Sequence, residues 1–204
     1  EQVASDIRGW LDAAIPVQHV GVNVTTGDFQ RGNLSERVSR IFAKAGVPLH
    51  HVILEVNESV FMGGNDRAVP HAVESLRDKG ILVALDDFGT GFASLTHLLS
   101  FPVDIIKIDK SFVGRLGKDR PAEVVVSAIL DIARKLDMRV VAEGIESMAQ
   151  AEFLRQEGCK LGQGYLFSRP VAVADATKLL RNFAQSIGGG KTTSAAGPRF
   201  ALAR

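Results

Sequence analysis

Apolar positions along this chain follow two periods, one typical of buried strands and one typical of amphipathic helices. The predicted strands are short apolar runs bounded by turn residues, at residues 19–24, 51–56, 81–85, 103–109, 138–146 and 160–167. The predicted helices repeat apolar residues every three or four positions, at residues 3–11, 34–42, 68–79, 94–99, 122–136, 148–156 and 173–187. Six strands that alternate with helices in this way predict a parallel α/β fold.

Polar side chains lie at or just beyond the carboxyl end of every predicted strand. These residues are Asn23, Glu55, Asp86, Lys107, Glu143 and Gln163. An open doubly wound sheet concentrates its ligand contacts at one switch point, which involves two or three strand ends. Polar residues at all the strand ends instead favour a ring around one pocket, as in a TIM-like (β/α)8 barrel. We expect about six of the eight barrel strands in this chain and the other two upstream of Glu1.

The apolar run at residues 81–85 ends in two adjacent carboxylates, Asp86 and Asp87. Two charges at the end of a buried strand are costly unless a partner such as a divalent cation neutralises them. The strand-end residues include no histidine or cysteine, and oxygen ligands suit magnesium, manganese or calcium better than zinc. The oxygen donors are Asn23, Glu55, Asp86, Asp87 and Glu143. Two adjacent aspartates can serve a two-metal site for phosphodiester hydrolysis. Lys107 could hold the attacking water, or deprotonate it if its pKa were lowered.

Each of these residues also has an ordinary structural explanation. A single strand-end carboxylate is more often a helix N-cap or an ion-pair partner. Lys107 alone would be a buried counter-ion of an acidic neighbour. Six polar strand ends of matching chemistry favour a functional site over six separate structural roles.

The composition is that of an ordinary soluble domain. The 204 residues, 46% hydrophobic, are enough for one large domain. The 24 basic and 23 acidic side chains nearly cancel, which disfavours nucleic-acid polymers and membrane surfaces as partners. One cysteine, Cys159, and the absence of an apolar run long enough to span a bilayer predict a cytoplasmic domain, with any membrane tether upstream. Residues 188–204 are rich in Gly, Ser, Thr and Ala, which predicts a flexible tail.

Five segments carry a family resemblance. They read LEVNES, ALDDFGTGFASL, IIKIDKSFV, VVAEGIES and GCKLGQGYLFSRP. In this order and spacing they closely resemble the EAL-domain family of cyclic di-GMP phosphodiesterases, over residues 1–187. The resemblance implies a modified TIM barrel that uses two magnesium or manganese ions to open cyclic di-GMP to linear pGpG. It also implies a homodimer and an upstream sensory or GGDEF-type domain.

The resemblance assigns five residues to the two metals. Asn23 and Glu55 resemble ligands of the first metal, Asp86 the ligand that bridges both metals, and Asp87 and Glu143 ligands of the second. The resemblance also places Glu143 among the catalytic residues.

The remaining assignments concern catalysis and the loop after the aspartate pair. Lys107 resembles the lysine that positions the hydrolytic water, and Gln163 resembles a site glutamine near it. Glu58 corresponds to the glutamate that steadies the loop at residues 88–95. Two departures lie beside this loop: Asn57 stands where the family usually has Thr, and Ala93 stands where Ser is common.

The Glu-Ala-Leu motif that names the family does not occur in this chain. In the family its glutamate is a ligand of the first metal, so we expect the isolated chain to have little activity. The alternative function is a cyclic di-GMP receptor without turnover. A purely structural partner-binding domain would leave the paired aspartates unexplained.

Overall fold

The computed structural model describes residues 1–61, 68–89, 98, 101–188 and 199–200. Within these residues, seven parallel strands form one sheet in sequential order. The strands are β1 (Val20–Val24), β2 (Val52–Asn57), β3 (Leu82–Phe88), β4 (Ile105–Ile108), β5 (Arg139–Ala142), β6 (Leu161–Gly162) and β7 (Arg199–Phe200).

Helices connect the strands, and all of them except those at residues 26–30 and 110–113 begin and end close to predicted positions. They are α1 (Gln2–Asp12), α2 (Thr26–Gln30), α3 (Leu34–Lys44), α4 (Ala68–Asp78), α5 (Lys110–Val113), α6 (Arg120–Lys135), α7 (Met148–Gln156) and α8 (Val173–Gly188). Two 3₁₀ turns, Leu49–His51 and Glu58–Phe61, flank β2. In the described part of the chain, no helix is both long enough and apolar enough to cross a membrane.

The strand order decides between the two architectures that the sequence left open. A doubly wound sheet reverses its strand order at a switch point, whereas β1 to β7 follow one another without a reversal. The first and last helices also adjoin, because Trp10 on α1 donates a hydrogen bond to Thr177 on α8 at 2.8 Å. The fold is therefore a TIM-like α/β barrel arrangement, as predicted.

The sheet is apolar on both faces, as expected for parallel strands that helices cover. The larger cluster lies between the strands and the helices and includes Ile106 and Ile108 of β4. A smaller cluster lies on the inner face, with Ala84, Ile105 and Val141 at its centre. Successive side chains of a strand point to opposite faces, so Lys107 lies between two outward isoleucines and points inward.

Three segments differ from the sequence prediction: the helices α2 and α5, which were not predicted, and the last strand. The predicted loop at residues 25–33 contains α2, whose capping box joins Thr25 to Asp28. The last predicted strand, residues 160–167, is reduced to β6, because at Gly164 the chain turns so tightly that a Cβ would lie 2.2 Å from Ile145 N. The predicted helix at residues 94–99 falls outside the described residues except for Leu98, which is helical.

The described part of the predicted tail consists of residues 188 and 199–200. The predicted tail at residues 188–204 contributes β7, which pairs with β6. The division of the chain into a domain at residues 1–187 and a flexible tail therefore stays a prediction.

An ion pair joins the outer layer to the sheet at the start of β4. Asp104 accepts hydrogen bonds from Arg77 of α4, at 2.8 Å from Nη2 and 3.1 Å from Nε. Its second oxygen accepts the backbone N–H of Val83 at 2.9 Å. One carboxylate thus connects β3, β4 and α4.

We expect Asp104→Ala to lower the free energy of unfolding by about 2 kcal/mol, since it leaves a half-buried guanidinium and a backbone N–H without their acceptor. Urea denaturation measures this loss. The matched control is Asp12→Ala, which breaks the exposed Arg8–Asp12 pair and should cost less than about 1 kcal/mol. Equal losses in the two variants would contradict a structural role for Asp104.

Candidate metal centre and active site

The centre of the site is Lys107, which is 4% exposed on the inner face of β4. Its Nζ lies 2.8 Å from Glu55 Oε2, 2.8 Å from Asp86 Oδ1 and 2.7 Å from Glu143 Oε1. The three carboxylates come from the carboxyl ends of β2 and β3 and from the residue that follows β5. Four of the six predicted strand ends therefore meet around one ammonium group.

The charges in this group do not balance, because three carboxylates face one ammonium. Burial raises the pKa of Glu143 to about 7, with Lys107 opposing the shift and the Asp86 and Glu55 charges adding to it. Burial lowers the pKa of Lys107, but Glu143 and Glu55 outweigh it, so the pKa of Lys107 is raised. The lowered pKa that proton abstraction by Lys107 would need is not found. Lys107 is a fixed cation and a hydrogen-bond donor.

The two adjacent aspartates reach the same site because β3 contains a bulge. In its pairing with β4, the register shifts between Leu85 and Phe88, so β3 has one residue more than its partner. Asp87 takes a left-handed backbone conformation, with φ of 55°. In a regular strand, neighbouring side chains would point to opposite faces. With the bulge, carboxylate oxygens of Asp86, Asp87 and Glu143 all lie within 4.8 Å of one another.

Gln163 positions Glu143. Its side-chain Nε2 donates to Glu143 Oε1 at 2.6 Å. Its backbone is itself anchored, with N donating to Ala142 O at 2.9 Å and O accepting from Ile145 N at 3.0 Å. The glutamine predicted for the site thus fixes the orientation of a carboxylate that also contacts Lys107.

The remaining predicted residues surround this centre. Asn23, near the end of β1, pairs in register with Glu55 of β2, and its side chain is exposed at the same end of the sheet. Glu58 is buried, and its Oε1 accepts a hydrogen bond from Gly89 N at 3.1 Å, which joins it to the start of the loop after the aspartates. Asn57 pairs in register with Asp86. Ala93 falls outside the described residues.

Sequence reasoning missed two residues that shape the site. A Cβ at Gly21 would lie 2.2 Å from Glu55 Oε1, so the glycine makes room for that carboxylate. Asp109, at the end of β4, caps α5 by accepting from Ser111 N at 2.9 Å. Burial and the charges of Asp86 and Asp109 raise the pKa of Asp87. Asp109 could have been predicted, because it is a polar residue just beyond the carboxyl end of a strand, like the predicted site residues. No local signal in the sequence identifies Gly21.

The residues present fit a divalent cation. Carboxylate oxygens are the ligands of hard cations, and three of them converge from Asp86, Asp87 and Glu143. Asp86 Oδ1 is buried and, although 2.8 Å from Lys107 Nζ, makes no hydrogen bond of acceptable geometry. A divalent cation would use that oxygen and balance the excess negative charge. The arrangement is a divalent metal site.

Comparison with known proteins identifies the family. Residues 1–170 match the family model described as EAL domain, and the chain belongs to the EAL-domain family. It is 38% identical over 178 residues to the cyclic di-GMP phosphodiesterase NbdA of Pseudomonas aeruginosa, over 87% of this chain and 23% of that protein. The chain thus spans about a quarter of the length of that relative.

Solved structures confirm the fold. The EAL domain of Mycobacterium smegmatis DcpA superposes with a TM-score of 0.85 at 31% identity, over 89% of this chain and 81% of that one. The manganese and cyclic di-GMP complex of Klebsiella pneumoniae BlrP1 superposes with a TM-score of 0.74 at 28% identity, over 82% of this chain and 42% of that one.

We expect Gly21→Ala to displace Glu55 from Lys107 and to lower the free energy of unfolding by about 1–3 kcal/mol, because the added methyl has no room. Thermal or urea unfolding measures the change. Gly9→Ala in α1 is the control: a Cβ there meets nothing within 4 Å, so this helix position should gain up to about 1 kcal/mol. If Gly21→Ala left the free energy of unfolding unchanged, the close approach of residue 21 to Glu55 would be disproved.

We expect the affinity for a divalent cation, with Mn²⁺ as probe, to rise by roughly tenfold between pH 6 and pH 8. The pKa of Glu143, raised to about 7, means that the cation must displace a proton at pH 6 but not at pH 8. Isothermal titration calorimetry measures the dissociation constant of Mn²⁺ at each of the two pH values. Glu143→Gln should bind weakly at both pH values, and exposed Glu36→Gln should behave as wild type. An affinity independent of pH in the wild type would contradict this assignment of Glu143.

Proposed function

We propose that this chain is a catalytic phosphodiesterase domain that hydrolyses cyclic di-GMP to linear pGpG. The observation that carries the proposal is the group of Lys107, Glu143, Asp86 and Asp87 at the carboxyl ends of the strands, in a chain of the EAL family. The name of NbdA and the ligand in the BlrP1 complex support cyclic di-GMP as the substrate.

We infer that the cations are magnesium or manganese and that two are bound. Asn23 and Glu55 would hold the first, Asp86 would bridge the two, and Asp87 and Glu143 would hold the second. The manganese in the BlrP1 complex supports a cation of this kind. When bound, such cations neutralise the phosphodiester and make the attacking water more acidic.

The chain's own residues would orient the reaction. The Lys107 ammonium, a donor held by carboxylates, would hold the attacking water by a hydrogen bond rather than take its proton. Gln163 would keep Glu143 turned towards the site through their 2.6 Å hydrogen bond. Glu58 would steady the loop after the aspartates through Gly89. Water would form the new bond to phosphorus, and the bridging oxygen would leave with a proton, which opens the ring.

A homodimer and an upstream sensory or GGDEF-type domain also belong to the proposal, on the strength of the family resemblance. Light scattering coupled to gel filtration would measure the mass of the chain in solution. A mass of one chain at all concentrations would remove the homodimer from the proposal.

We expect the chain to release pGpG slowly from cyclic di-GMP in the presence of Mn²⁺, and we expect Lys107→Met to reduce the rate at least about 10²-fold. Chromatography with mass spectrometry measures the product. Lys44→Met removes an exposed lysine of α3 and should leave the rate unchanged. Cyclic di-GMP affinity, measured in parallel, separates loss of chemistry from loss of binding.

One combination of results would contradict the proposed hydrolysis. If the wild type and Lys107→Met bound cyclic di-GMP equally and neither released pGpG at any Mn²⁺ concentration, the chain would be a receptor and the proposed hydrolysis would be wrong. The same comparison for Glu55→Gln tests the first-metal assignment, because Glu55 contacts Lys107 but is not among the three clustered carboxylates.

A further inference from the structure

The amino ends of the strands, opposite the metal centre, carry a group of basic side chains. His19 precedes β1, His50 and His51 precede β2, and Arg139 begins β5. We call these four residues the basic cluster. Three of them, His19, His51 and Arg139, lie four residues, or roughly 13 Å, before Asn23, Glu55 and Glu143 at the other end of the barrel.

The register of the sheet places His19, His51 and Arg139 of this cluster towards the inner face, whereas His50 is exposed beside His51. Arg139 is two residues before Val141, which belongs to the apolar cluster on the inner face. Alternation places both side chains on that face. His19 and His51 hold equivalent positions on neighbouring strands, because Val20 pairs with Val52.

The amino ends of parallel strands lie at one end of the barrel, so the inward side chains of β1 and β5 approach each other across it although the two strands are four places apart in the sheet. Burial lowers the pKa of His19 below its ordinary value, and the charges of Arg139, His51 and His50 lower it further. A charge on β5 can act on His19 only across the curved sheet. The imidazoles of His50 and His51 are also adjacent, with ring centroids 4.2 Å apart.

No carboxylate in the described part of the chain forms an ion pair with any member of the basic cluster. Asp104, the acidic residue immediately before β4, is already paired with Arg77 on the outer side of the sheet. His51 is oriented by a hydrogen bond between its Nδ1 and the carbonyl oxygen of Gln18 at 2.9 Å. With Nδ1 used as the donor to that carbonyl, Nε2 is the atom left to meet a ligand.

We propose that the basic cluster is a binding site for a small oxyanion, such as a sulfate or phosphate group, at the amino end of the barrel. Arg139 would supply a charge-assisted donor, and His51 and His19 would donate once they are protonated. The oxyanion would relieve the repulsion among like charges that share the inner face. A cation is disfavoured there, because Arg139 would repel it.

The test uses sulfate as the probe, because sulfate keeps its charge between pH 5.5 and pH 8, and uses EDTA to keep the metal centre out of the measurement. Histidine side-chain NMR resonances are followed during titration with sulfate, against chloride at equal ionic strength. We expect saturable shifts of the His19 and His51 signals with a dissociation constant on the order of 1 mM. The signal of His71, which lies on α4, should not move.

Arg139→Gln should weaken sulfate binding at least about tenfold, whereas the matched control Arg40→Gln, an exposed arginine of α3, should not change it. Binding should also strengthen by roughly tenfold from pH 8 to pH 6, since protonation and sulfate favour each other. His19→Gln should reduce that pH dependence and keep the binding seen at pH 8.

Three results would overturn the proposal. They are shifts that never saturate, shifts of equal size in chloride, and binding that Arg139→Gln leaves intact. If Arg139→Gln failed to fold, the pH dependence of His19→Gln would decide, because an affinity with the wild-type pH dependence would show that His19 takes no part.

Discussion

One buried ammonium among three carboxylates is the interaction on which the rest of this site depends. Lys107 contacts Glu55, Asp86 and Glu143 at 2.7–2.8 Å, and each acid comes from a different strand or strand end. One positive charge cannot neutralise three negative ones, so the group holds a proton near neutral pH or accepts a divalent cation. Burial is the main cause of the raised pKa of Glu143, and the charges of Asp86 and Glu55 add to it.

The local structure around Lys107 serves to bring acids together that would otherwise diverge. The bulge in β3 and the left-handed conformation of Asp87 bring two adjacent aspartates to the same side. Gly21 leaves the space that the Glu55 carboxylate occupies. Gln163 fixes Glu143 from the segment after β6. Together these features hold carboxylates close to one another. Such an arrangement is costly unless a cation neutralises their charge.

The same strands carry opposite charge at their two ends. The carboxyl ends present Glu55 and Glu143, and the amino ends of the same strands present His51 and Arg139. The apolar layer of Ala84, Ile105 and Val141 lies between them on the inner face. This layer separates the metal centre from the basic cluster, so the proposed anion site and the metal centre lie at opposite ends of the barrel.

The sequence by itself determined the strands, most helices and the barrel order, because apolar periodicity is a local property and parallel strands align their carboxyl ends. It also identified Asp86, Glu143 and Lys107 as neighbours. The sequence analysis missed α2 and α5, although the capping box of α2 and the Asp109 cap of α5 are local signals. Tertiary structure decided the direction of the Lys107 pKa shift, the bulge at Asp87, the early end of β6 against Ile145 and the role of Gly21. Those features depend on which atoms meet across strands, and spacing along one chain does not contain that information.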